Sequence, residues 1–171
     1  LTFKSILEQA NSKKERKALL ANKVEDMLNT VIRQIAFFQF EKEVHTLRQQ
    51  TELSIDQICK IWMNVQKASL GPSIKYEEEY KYFWSYIPHF IHSPFYVYAY
   101  AFGDCLVNSL FDTYEKGLPN FDDKYINLLK SGGSKKYNEL FSPFNLNLSK
   151  KSFWKKGLNV IESFIDELEN L

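Results

Sequence analysis

No stretch of the chain approaches the ~18 consecutive apolar residues of a membrane-spanning helix, only two residues are cysteine, and the charges nearly cancel, with 22 basic against 21 acidic side chains. Each shortage removes a class of protein. Without a long apolar run, and with no charged-then-apolar leader, the chain predicts neither a membrane span nor a secretory signal, and it reads as cytoplasmic. Cys59 and Cys105 lack C-x-x-C spacing. They support neither a disulfide framework nor a thiolate metal cluster, and two buried reduced thiols are the simplest expectation. A net charge of +1 without a basic block or stripe argues against a nucleic-acid partner. The common chemical signatures are missing as well: no P-loop, no G-x-G-x-x-G, no G-x-S-x-G elbow and no H-E-x-x-H. Gly132-Gly133-Ser134 ahead of two lysines has no strand before it and reads as a plain turn, and Glu77-Glu78-Glu79 as a solvated face.

Aromatic residues are plentiful: 14 Phe, 10 Tyr and 3 Trp make 16% of the 171 residues. That content excludes disorder and implies large buried slabs, in a chain long enough for one domain with a real core. The apolar spacing is helical nearly throughout. Ser12 and Glu15 form a candidate capping box. From there to about Gln49 no Pro or Gly intervenes, while Leu20, Val24, Met27, Val31, Ile35 and Phe38 recur on one face, with Leu28, Ile32 and Phe40 widening it. This predicts one long N-terminal helix. Ser54 and Gln57 open a second helix that ends before Gly71-Pro72, and a shorter aromatic helix is expected over residues 76–84. Residues 95–102 alternate like a strand, but apolar spacing continues to a stop at Gly117, which favours one helix. Helices over 121–129, 137–141 and from 153 to the end complete an all-α, multi-helix array forming a single region over 1–171, with no linker long enough to divide it. The sequence opens at Leu1 in helical periodicity with no cap before it, which suggests a cut through a longer polypeptide.

One segment concentrates the polar chemistry. Residues 87–103 (IPHFIHSPFYVYAYAFG) hold two imidazoles and three phenols within an otherwise apolar run, and Pro88 and Pro94 bracket the histidines. Buried ring nitrogens and hydroxyls must find partners, so the cluster reads either as a polar wall facing a ligand or as large core residues with their hydroxyls at the surface. His89 and His92 are three apart with no Glu in zincin register and no Cys or carboxylate close by, so zinc binding by this chain alone is not expected. Cys105 lies among apolar residues, where a thiol stays protonated and inert. His45 reads as a surface or helix-end histidine without a site role.

Several segments, in order, resemble the C-terminal part of oligoendopeptidase F-type zinc metallopeptidases of the M3 (thimet oligopeptidase-like) family: residues 23–30 (KVEDMLNT), 33–37 (RQIAF), 86–90 (YIPHF), 94–103 (PFYVYAYAFG), 132–134 (GGS) and 153–158 (FWKKGL). The resemblance implies the C-terminal part of a larger helical, bowl- or clam-like fold with a channel for short peptides. It implies one Zn2+ in the parent family, held by H-E-x-x-H and a further Glu, with no such ligands in this chain. It also implies that His89 and Tyr98 stabilise the transition state as oxyanion donors, while Tyr96 and His92 bind substrate; where many members carry Tyr, this chain has Ile91. The partners so implied are short peptides and a missing N-terminal zinc-bearing portion, with no nucleic acid and no membrane. On this reading the chain alone is inactive. The rival expectation is a stand-alone helical module, from a split gene, that binds peptides or a protein.

Overall fold

The computed structural model describes residues 2–171, and among these every regular element is helical and none is a strand. The fold is all-α, as the apolar spacing predicts. Leu1, whose uncapped start carried the expectation of a cut polypeptide, lies outside the described residues. Helix α1 spans Thr2–Glu8, α2 spans Lys13–Thr30 and α3 spans Ile32–Arg48. The capping signal ahead of α2 is formed in a shifted version. Ser12 Oγ accepts the Glu15 N–H at 3.1 Å, and the Glu15 carboxylate reaches past Ser12 to accept the Asn11 N–H at 2.7 Å.

The long N-terminal helix is present with one irregular residue. Val31 takes φ −102° and ψ −66°, yet its N–H still bonds to the Met27 carbonyl at 2.9 Å and its carbonyl accepts from Ile35 at 3.0 Å. What changes is the facing of the helix. Leu20, Val24, Met27 and Val31 are buried as predicted, but the next buried positions are Ala36, Phe37, Phe40 and Glu41, and Ile35 is exposed. An α-helix brings a residue back to one face after three or four positions. The five-residue step from 31 to 36 therefore moves the buried stripe around the helix, and the inward place predicted for Ile35 is corrected.

Helix α4, Ile55–Leu70, starts on a reciprocal box: the Ser54 N–H bonds to Gln57 Oε1 at 2.8 Å and the Gln57 N–H to Ser54 Oγ at 3.3 Å. Gly71, at φ 71°, ends it in a conformation that favours glycine. The short aromatic helix expected next is a 3-10 helix, Glu78–Tyr86. Then follow α5, His89–His92, and α6, Tyr98–Glu115, which begins three residues later than the alternating segment and stops before Gly117. Helices α7, Phe121–Ser131, α8, Tyr137–Phe141, and α9, Lys151–Glu169, complete the order, with a short 3-10 turn at Ser142–Phe144.

By contact the chain forms two compact units, one of Met27–Phe102, the other of residues up to Asp26 together with Gly103–Leu171. The core of the first is aromatic. Trp62 is fully buried, with the rings of Phe40, Phe37 and Tyr80 at 5.2, 5.6 and 5.8 Å, and its indole N–H donates to the Tyr80 carbonyl at 3.0 Å. That bond satisfies the one polar group the indole brings into the core. Beneath it, buried Gln66 accepts from the Tyr80 hydroxyl at 3.3 Å, and its carbonyl accepts from Tyr76 at 3.0 Å. Burial pushes both phenols above their ordinary pKa, opposed at Tyr80 by Arg33.

In the second unit α6 and α9 run antiparallel in close contact. Gly157 lies against Cys105, and one turn away Ser109 Oγ donates to the Phe153 carbonyl at 3.2 Å. Phe121 packs edge-on to Phe144, and Phe3 to Phe164. Cys59 and Cys105 are both free and buried, as expected. Burial, with Asp104 adjacent, pushes the Cys105 thiol up to about 11. Among the described residues no helix is long and apolar enough to cross a membrane.

Two outcomes follow from the α6–α9 contact. A Cβ at position 157 would stand 2.8 Å from both Cys105 Cα and its carbonyl oxygen, backbone that cannot swing aside. Overpacking of this kind costs roughly 1–3 kcal/mol, against the ~1 kcal/mol that Ala gains over Gly inside a helix. Gly157→Ala is therefore expected to lower the melting temperature, as read by circular dichroism. The thiol gives the second outcome. The unfolded chain loses the Cys105 proton near its ordinary pKa, whereas the folded chain holds it until about 11. The native state binds more protons between these values, so stability is intact below pH ~9 and falls as pH rises toward 11. Denaturant titrations across that range measure the fall, and Cys105→Ser should reduce it.

Candidate functional site

The chemistry-bearing segment lies on the aromatic core of the Met27–Phe102 unit. Pro88, at φ −65°, caps α5, and the residues on both sides of His89 are held from beneath. Ile87 is buried, and the Phe90 ring packs against those of Phe40 and Phe37 at 5.1 and 5.7 Å. A four-residue helix cannot nucleate on its own strength. These apolar anchors set its orientation, and His89 projects from the other side.

The start of α6 is set in the same way. Val97 is fully buried in that core. Two positions earlier Phe95 stands at φ 60°, in the left-handed region. Such a backbone costs a residue with a side chain about 1–2 kcal/mol. Its N–H donates to Glu41 Oε1 at 2.6 Å, and a hydrogen bond to a carboxylate is worth about 1.5–3 kcal/mol, enough to hold the turn. The His45 ring, one helical turn beyond Glu41, packs against the Phe95 ring at 4.7 Å.

These anchors bring three side chains together. His89 Nε2 and the Tyr100 hydroxyl share a hydrogen bond of 3.0 Å. The Tyr96 ring lies parallel to His89, 6.5 Å away with 4° between planes, and edge-on to Tyr100 at 5.6 Å. Tyr98 is placed elsewhere, its ring edge-on to Phe38 at 6.0 Å. Helical geometry explains part of the division: within α6 Tyr98 and Tyr100, two apart, point about 200° from each other. Tyr96 lies before the helix, in the turn that the Ala99 N–H closes on its carbonyl at 2.9 Å, and that turn brings its ring beside His89 and Tyr100. His92 is exposed, and among the described residues no hydrogen bond or ring contact joins His92 or Tyr98 to the trio.

The group stands on open surface. A groove of about 560 Å³ between α3 and α4, lined by Lys42, Glu43, Leu47 and Asn64 among others, includes none of the three. The trio offers ring N–H and hydroxyl groups that can donate and accept hydrogen bonds. When the Tyr100 hydroxyl donates to Nε2, the ring proton sits on Nδ1 and becomes the free donor, available to a ligand oxygen. Among the described residues no hydrogen bond joins the trio to a carboxylate or a thiol. Among the described residues no group of three or more His, Cys, Asp or Glu side chains could hold a metal ion.

Of the residues singled out in the sequence, the structure brings His89 and Tyr96 together and leaves Tyr98 and His92 apart from them, while Tyr100, which joins the group, and Glu41 and His45, which hold Phe95, were not singled out. Tyr100 could have been separated from Tyr98 by the helical register of α6, which turns residues two apart to different sides. Glu41 shared its helix with other acids and carried no separate signal.

An all-helical chain with such a His/Tyr group on an aromatic core can be placed by comparison. The model of peptidase family M3 matches residues 2–160, and the chain belongs to that family. Among its relatives are the oligoendopeptidase F homolog of Borreliella burgdorferi, 28% identical over 97% of this chain and 28% of that protein, and the oligopeptidase PepF of Bacillus subtilis, 28% identical over 97% of this chain and 25% of that protein. The solved oligoendopeptidase-F from Enterococcus faecium superposes with a TM-score of 0.88 at 24% identity, over 98% of this chain and 32% of that one, a likeness of fold. The chain thus spans 25–28% of the length of the curated relatives it matches. Family M3 implies zinc, and the donor set described above does not fit a zinc ion.

Replacing the Tyr100 hydroxyl tests the geometry of the trio. Tyr100→Phe should change stability by less than about 1.5 kcal/mol, the upper range for one neutral hydrogen bond, while moving the His89 ring nitrogen resonances in a ¹⁵N NMR spectrum. Unchanged ring resonances would show that the bond is not made in solution.

Proposed function

We propose that this chain is the C-terminal helical portion of an M3 zinc metalloendopeptidase acting on short peptides, and that residues 1–171 serve there as one region lining the substrate cleft. Zinc and the water-activating carboxylate belong, on this reading, to the portion of the peptidase outside the chain. The observation that carries the proposal is the His89–Tyr100 hydrogen bond beside Tyr96, an exposed donor group in a member of a peptidase family.

Attack on a peptide carbonyl turns its oxygen into an oxyanion, and fixed neutral donors stabilise that charge more than they stabilise the ground state. His89 offers such a donor; the family resemblance gives Tyr98 the same role, although its ring turns from His89 toward Phe38. Tyr96 and His92 contact the peptide itself, Tyr96 through the face of its ring. Tyr100 holds the His89 imidazole in orientation. These groups bind and stabilise; none of them supplies the attacking water, so the chain by itself binds peptide without cleaving it.

The experiment adds zinc and a quenched fluorogenic nonapeptide to the purified chain. Expected are peptide binding by fluorescence anisotropy, weakened by His89→Ala, and no turnover. Turnover that survives purification and is lost in His89→Ala would overturn the inactivity, and an absence of binding would overturn the substrate role. The reading frame upstream of Leu1 separates the rival: an in-frame H-E-x-x-H supports the peptidase, and a start codon there supports a separately made binding module.

A further inference from the structure

We propose that Glu41 is the positioning residue of this site: it holds the turn at Phe95 so that Tyr96 faces His89 and Tyr100. The role in peptide binding rests on the function proposed above; the role in placing the rings does not.

Four observations meet at this side chain. Glu41 is 2% exposed, on a helix face otherwise occupied by Ala36, Phe37 and Phe40. Its Oε1 takes the Phe95 N–H at 2.6 Å, a donor with no helical partner because α6 has not yet begun. Phe95 is one of three non-glycine residues described at positive φ, so its backbone needs an external hold. His45, four residues along α3, lies against the Phe95 ring, so one helix grips both the backbone and the side chain of that residue. The next residue in the chain is Tyr96.

The other carboxyl oxygen favours a role beyond packing. Oε2 is buried and has no hydrogen-bond partner among the described residues. A half-satisfied carboxyl inside an aromatic core is a liability that an apolar residue of similar volume would remove. Stability alone would favour the apolar residue. What such a residue cannot do is accept the Phe95 N–H, and without that bond the left-handed turn is left to the Tyr96 N–H bond to the Ser93 carbonyl at 3.2 Å and the His45 ring contact. Tyr96 lies between two fixed points, the pinned Phe95 amide and the buried Val97 side chain, and releasing either one lets its ring leave His89.

The test uses the whole 171-residue chain with three substitutions. Glu41→Leu removes the acceptor and keeps an apolar fill, Glu41→Gln restores an oxygen at the same reach, and Glu41→Asp keeps the carboxyl but withdraws it by one methylene. Hydrogen exchange of the Phe95 amide, His89 ring resonances and anisotropy with the fluorogenic nonapeptide are measured for each. Glu41→Leu should raise Phe95 amide exchange and weaken peptide binding by about tenfold or more, the equivalent of one such hydrogen bond, and should shift the His89 ring signals. Glu41→Gln should return all three close to the parent values, and Glu41→Asp should fall between. If Glu41→Leu fails to fold, the Asp and Gln pair still decides.

Phe95 exchange that is unchanged in the Asp and Leu variants would overturn the proposal. So would a loosened Phe95 amide with His89 signals and peptide affinity both unmoved, which is the mark of a purely structural residue. Should the parent chain bind no peptide, the proposed function fails, while the exchange and ring signals still decide the role of Glu41.

Discussion

Trp62 needs a partner for its indole N–H, and much of the Met27–Phe102 unit follows from how that need is met. A buried N–H without an acceptor is costly. The carbonyl that satisfies it belongs to Tyr80, in the 3-10 helix. That bond fixes the 3-10 helix against α4, and Phe37 and Phe40 of α3 close around the same indole. Ile87, at the end of the 3-10 helix, is thereby delivered into the core, and Pro88 and His89 come next in the chain. The position of the imidazole is inherited from a hydrogen bond made by a different ring.

What the sequence disclosed, and what it withheld, divides along the same physical line. Signals that act over a few residues were legible. The Ser54–Gln57 box, the Gly71 and Gly117 stops and the Gly132–Gly133 break depend on local backbone chemistry, and a reader needs only their spacing. The all-helical class was equally legible. Resemblance to the M3 family rested on short segments kept in order, and the family is shown by a match that extends over nearly the whole chain.

Non-local facts were harder to see. The buried stripe changes face at Val31, and no pattern in the sequence announces it, because Ile35 is as apolar as the residues that are buried. The alternation over residues 95–102 carried a subtler ambiguity. As a strand it would put Tyr96, Tyr98 and Tyr100 on one side; as a helix it separates the middle one. Choosing helix was enough to turn Tyr98 away from Tyr100, but the helix begins only at Tyr98, and the turn that brings Tyr96 beside Tyr100 leaves no mark in the alternation. Glu41 illustrates the limit. Nothing distinguishes it from Glu43 in sequence, and only the fold, by burying one and exposing the other, separates them.

The one-turn helix that presents His89 has a consequence for how this region changes over time. Four residues of helix carry no autonomous stability; their shape is borrowed from Phe90 and from the rings it touches. The imidazole is thus coupled mechanically to the interior, so a conservative exchange deep among the phenylalanines can reach the surface as a tilt of one ring well before the domain as a whole loosens. Variation of the interior then becomes a means of tuning the chemistry outside it. A lineage could drift in activity while every exposed residue of the site stayed the same.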